Sequence, residues 1–274
     1  MWFRLPILAV LSGAGLVCGC AGATYPIPMP PLTPSQLNLA QQEVQAQKSE
    51  GPPFRNHVTD EEATTVLRSA IERIGPAATQ LCREMAVGDC RWTVSGSSDR
   101  SLNTAVGPNG LIVINRGIME YAANEEEVAV VVAYGFAHHA ANHFAARRRT
   151  QMAGSLLGTI VVTAVSIVVP PLGMATSLIQ TAVESGMNLA SGALVASYTK
   201  DQERESTWLA ALILYRAGVD LDKARGMLVT MARIAGDKDT GMMNTTLTGA
   251  ERLAAWDEAV RQIRASNGQL PWRN

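Results

Sequence analysis

Residues 130–144 read VVVAYGFAHHAANHF, and three of the chain's four histidines, His138, His139 and His143, fall within six positions of it. Upstream, Asn124 is followed three residues later by Glu127, a helix-start signature. The stretch therefore reads as an apolar helix carrying imidazoles toward its C-terminal end. Side chains four apart on a helix share a face, which groups Tyr134 with His138 and His139 with His143.

The segments on either side read as mixed structure. Thr59-Asp60-Glu61-Glu62 is a capping box, and Ala63, Val66, Ala70, Ile71 and Ile74 repeat behind it at helical spacing. Gly75-Pro76 is expected to break that helix, which resumes toward Cys82. RWTVS (91–95) and GLIVIN (110–115) are β-branched runs between turn signals and read as strands, with GPNG (107–110) as a turn. Helices are expected near 201–217, 221–235 and 249–266. Residues 152–169 are 18 positions without a charge, followed by Pro170-Pro171. That length is at the threshold for a membrane span, yet the reading adopted is an apolar helical hairpin over 152–196. Strands early and helices late give a helix-rich α+β domain with a small early sheet.

The N-terminus reads as an export signal. Arg4 precedes an apolar run that is too short for a stable span and ends in Val17-Cys18-Gly19-Cys20. A branched residue three before a cysteine resembles the lipobox of bacterial lipoproteins. It makes residues 1–19 the signal peptide and Cys20 the lipidated residue, carrying palmitate-type acyl chains. Ala21 after it resembles the outer-membrane sorting preference. The Pro-rich stretch that follows is expected to be an extended spacer, so residues 20–50 are assigned to a tether and 51–274 to one domain. Losing Arg4 with the signal takes the formal net charge from −1 to −2, and nothing steers the chain toward nucleic acid. Cys82 and Cys90, close in an exported chain, are expected to form a disulfide.

Zinc peptidases place two histidines four apart on a helix, with a glutamate beside the first as general base. Against that His-Glu-x-x-His pattern the present chain has Tyr134-Gly135-Phe136-Ala137-His138. Spacing alone does not specify a metal site. The flanks add to it: NTAVGPNGLIVINRGIMEYAANEEEVAVVVAYGFAHHAANH (103–143) and SYTKDQERESTWLAALILYRAGVD (197–220) resemble the zinc metallopeptidases of the HtpX and CAAX prenyl protease family, especially its exported BepA-like branch. Asn103, Pro108, Gly110, Arg116, Gly117, Glu125, Glu127, His138 and His143 fit that family's first block.

The resemblance implies a zincin-like fold whose site has degenerated. The family's first zinc histidine falls on Tyr134, its general base on Gly135, its second histidine on His138 and its glutamate ligand on Glu205. The supporting aspartate falls on Thr207. No intact catalytic set is expected, and any zinc would sit at a remnant made by His138 and Glu205. A shifted set of His139, His143 and Glu205 is the alternative, although Ala140 leaves it without a base. The function expected is that of an envelope lipoprotein, membrane-bound through its lipid and facing the periplasm. It would bind a client or partner protein rather than cut it. The alternatives are an active zinc metalloendopeptidase with an altered ligand set and a structural membrane-associated protein.

Cys20→Ala is expected to leave the chain unprocessed and to reduce its membrane retention. Fractionation and mobility identical to those of the unsubstituted chain would remove the lipobox reading.

Overall fold

The computed structural model describes residues 27, 29–85, 90–146, 198–235 and 247–271, with the backbone of 166–169. The signal segment and Cys20 lie outside the described residues. The elements in chain order are α1 (Pro34–Ser49), α2 (Asp60–Met85), β1 (Trp92–Ser97), β2 (Thr104–Val106), a 3-10 turn (Pro108–Gly110), β3 (Leu111–Asn115), α3 (Arg116–Tyr121), α4 (Glu125–Ala140), β4 (Ser166–Val169), α5 (Lys200–Arg216), α6 (Leu221–Ala235) and α7 (Gly249–Ala265). The fold is α+β and rich in helix, as expected.

Helix α4 is the element around which the others pack. Every residue from Val128 to His138 is buried, because the run has no polar face to leave in water. It packs against α2 on one side and α5 and α6 on others, with β2 and β3 beneath. The Asn124 side chain accepts from the Glu127 N–H at 3.0 Å and caps its first turn. Gly135 allows the close approach to the sheet: a Cβ there would lie 2.6 Å from Ile112 Cγ2 on β3.

The sheet has the order β2-β3-β1-β4. Strands β1 and β3 are parallel, with Val94 opposite Ile112, and β2 and β4 run antiparallel on the outer edges. Gly110 sits between turn and strand at φ +75°, where a Cβ would fall 2.1 Å from the Arg91 carbonyl oxygen, so both conformation and space require glycine.

Three expectations are corrected. First, Gly75-Pro76 does not break α2, which runs 26 residues without interruption. Pro76 and Glu72, whose carbonyl loses its partner, both face solvent, and the Thr79 hydroxyl donates to the Gly75 carbonyl at 2.9 Å. Second, residues 34–49 of the expected tether form α1, with Ala40 and Val44 buried against the body and Arg225 gripping Glu43 through two bonds of 2.6 and 2.7 Å. Third, residues 166–169 are strand β4 paired to β1, so the first arm of the expected hairpin is not helical to its end. The rest of 152–196 lies outside the described residues, and no described helix is long and apolar enough to cross a membrane.

Cys82, near the end of α2, is joined to Cys90, just before β1. Closing that short loop in the unfolded chain contributes about 2–3 kcal/mol by chain-entropy arithmetic. Replacing both cysteines by serine is expected to lower the unfolding free energy by that amount, read as a lower urea midpoint; an unchanged midpoint would contradict it.

Candidate functional site

Two of the residues at the family's four key positions, Tyr134 and His138, meet side chains of α5 and α7 where those helices pack on α4. Tyr134 and His138 lie one turn apart on α4, both fully buried. The Tyr134 hydroxyl donates to Thr207 Oγ1 on α5 at 2.8 Å, and Thr207 donates in turn to the Glu203 carbonyl at 2.8 Å. Burial pushes the Tyr134 phenol above its ordinary range, so it stays neutral.

The carboxylate facing Tyr134 and His138 is Glu203, which the sequence analysis did not single out. Glu203 Oε1 lies 3.9 Å from His138 Nε2, and its Oε2 accepts from Arg252 Nη2 of α7 at 3.1 Å. Both partners of that ion pair are about 1% exposed. The Arg252 guanidinium also lies over the Tyr134 ring, 5.3 Å from its centroid. Burial opposes the Arg252 charge, but Tyr134 and Glu203 hold its pKa above the usual value. The helix repeat carries the reason Glu203 belongs here: residues 203 and 207 are four apart and share a face, whereas residue 205 points elsewhere. That spacing was readable in the sequence. Arg252 was not, since nothing in TTLTGAER marks its arginine as inward-facing.

Glu205 joins a second group. Its Oε2 lies 2.9 Å from His143 Nε2, and its Oε1 accepts the Ile27 backbone N–H at 2.9 Å. His143 Nδ1 is 3.1 Å from His138 Nδ1. One proton lies between the two Nδ1 atoms, and His143 Nε2–H donates to Glu205. Burial, with the charges of His143 and Arg252 added, holds His138 well below its ordinary pKa. The same ring stacks on Tyr198 at 4.0 Å. His143 is therefore buried inside the cluster. His139 turns away, with Nε2 3.1 Å from the Leu111 carbonyl oxygen, and burial lowers its pKa to about 4. The shifted set of His139, His143 and Glu205 is thus not assembled.

A catalytic zinc needs three protein ligands and an open position. Around His138 the third donor would be a neutral phenol already bonded to Thr207, and the nearest carboxylate is neutralised by a buried guanidinium. A base is missing as well, because any side chain at position 135 would meet Ile112 before reaching the cleft. These residues do not fit a catalytic zinc centre. Among the described residues no group of three or more His, Cys, Asp or Glu side chains is arranged to hold a metal ion.

Beside Glu205 the described residues border a cleft of about 430 Å³, lined by Ile27, Met29, Ala141, His143, Asp201 and Glu205 among others. Compared with known proteins, the chain matches the family model for Peptidase family M48 over residues 69–259, which runs from within α2 to within α7 and includes Tyr134, His138, His143, Glu203, Glu205, Thr207 and Arg252. No curated protein matches the chain.

Removing one partner of a buried ion pair leaves the other charge uncompensated, at a cost of roughly 3–5 kcal/mol. Arg252→Ala is expected to destabilise the chain by that amount, and by much less in a Glu203→Gln background. Equal costs in the two backgrounds, measured by urea unfolding, would show that the pair is not coupled.

Proposed function

Because the chain belongs to peptidase family M48, we propose that it keeps the metallopeptidase-like fold without peptidase activity and acts by binding a client or partner protein in the former substrate cleft. It does so as an envelope lipoprotein, anchored through Cys20 in the outer membrane and facing the periplasm. The observation that carries this reading is the closed cluster of Tyr134, Thr207, Glu203 and Arg252. Every position that would hold or activate a metal-bound water is replaced or engaged by another protein group. A side chain positioned for acid-base work is worth about 10²- to 10⁴-fold in rate, and Gly135 supplies none.

Placement near a membrane follows from chain length under the same reading. Ile27 lies seven positions after Cys20, and a fully extended chain of seven steps reaches about 25 Å. The cleft would then lie within that distance of the lipid anchor, where an envelope client would pass.

One observation favours the other reading, an active metallopeptidase with an altered ligand set. His138, His143 and Glu205 form a continuous buried chain of close contacts. A cation drawn into that chain would have two imidazoles and a carboxylate. Metal analysis and digestion of casein by the purified chain separate the two. The binding reading expects well under one equivalent of zinc and intact casein that is retained by the immobilised protein. Stoichiometric zinc with chelator-sensitive cleavage would overturn it and install the altered-ligand enzyme.

A further inference from the structure

The chain's own N-terminal segment lies along one wall of the cleft beside Glu205, with Ile27 and Met29 among the residues that line it. Ile27 is 3% exposed although it lies in a stretch whose composition reads as a solvated spacer. Its backbone N–H donates to Glu205 Oε1 inside the protein, and the Arg204 guanidinium donates to the Pro30 carbonyl from the next position on α5. Met29 lines the cleft with His143 and Glu205, and with Pro30 and Leu32 it lines a second hollow against Trp208 of α5 and Ala259 of α7. From there the chain enters α1 through the Thr33 cap. The segment thus crosses from the end of α4 over α5 to α7.

The chemistry of the contact is that of peptide recognition in general. One acidic side chain accepts a main-chain N–H, and one basic side chain donates to a main-chain carbonyl three residues on. Neither contact reads the side chains of the bound segment, so an extended peptide of another sequence can make both. Proline suits the occupant in two ways. Pro26, Pro30 and Pro31 limit the freedom of the free segment and so reduce the entropy lost when it docks. They also leave few N–H groups, and the Ile27 N–H, set between Pro26 and Pro28, is the one Glu205 takes.

We propose that Glu205 and Arg204 form a binding site for extended peptides, and that the segment carrying Ile27 and residues 29–32 is its built-in occupant, released when a client peptide takes the site. The proposal rests on the client-binding function above and names the contacts by which it works. A cleft open only part of the time binds an outside ligand more weakly by the fraction of time it is open. The resident segment therefore sets a threshold for client capture.

The probe is a fluorescein-labelled peptide of residues 23–34, titrated by anisotropy into the full mature chain. Ile27→Pro removes the N–H that Glu205 accepts and adds no polar group. It is expected to raise affinity for the probe at least about tenfold, and adding Glu205→Ala is expected to abolish that gain. An unchanged affinity in a variant with the wild-type urea midpoint overturns the proposal. If Ile27→Pro fails to fold, hydrogen exchange in the unsubstituted chain decides. The Ile27 amide is expected to exchange at least about a hundredfold more slowly than in the free peptide, and free exchange overturns the proposal. Casein retention separates this idea from the broader reading. Probe binding that rises while casein is never retained leaves the site standing and removes the client function. Casein retention indifferent to Ile27→Pro keeps the client function and removes this site from it.

Discussion

The ion pair between Glu203 and Arg252 sets the terms for everything around it. It ties α5 to α7 inside a region from which water is excluded, and Tyr134 of α4 closes over the guanidinium. Charges buried this deeply persist only when each meets its partner, and breaking such a pair costs far more than the intact pair contributes. The three helices are therefore locked in one arrangement around Tyr134 and His138. A carboxylate satisfied by an internal cation has little electrostatic need of an external one, and a dication brought beside Arg252 would be repelled by a charge that burial cannot screen.

The packing of α4 reinforces that outcome. Gly135 lets the helix lie against Ile112, and the space a general base would occupy is filled by the sheet. Loss of the base is thus a feature of the core as well as of the site. The same closeness fixes which way each histidine points. His138 and His143 face α5 and join Glu205 and Tyr198, while His139 is turned toward the strand and bonds the Leu111 carbonyl.

Much of this was legible in the amino-acid sequence, for physical reasons that differ from element to element. The start of α4 was readable because Asn124 and Glu127 carry the capping chemistry themselves, and β1 and β3 because β-branched runs between turn residues have few other uses. Helix α1 was hidden: its composition is that of a spacer, and only Ala40 and Val44, one turn apart, are fully buried. Strand β4 was hidden for the opposite reason, since a run without charges has no period to separate a buried strand from a buried helix. The break expected at Pro76 did not appear because exposure, which a linear sequence does not state, lets solvent satisfy the freed carbonyl. In the site, Tyr134 and Gly135 stood out against the His-Glu-x-x-His pattern. Glu203 was recoverable from its four-residue spacing to Thr207, but Arg252 and the docked Ile27 depend on contacts across 49 and 178 residues of chain, which no local pattern carries.

The central claim is that an internal guanidinium, rather than a metal ion, compensates the buried carboxylate of this fold. Crystals grown in the presence of excess zinc, with anomalous diffraction recorded above and below the zinc absorption edge, test it most directly. The account predicts no anomalous peak between His138 and Glu203 and a guanidinium in contact with the Glu203 carboxylate. A full-occupancy zinc peak at that place, with Arg252 displaced from Glu203, would contradict it.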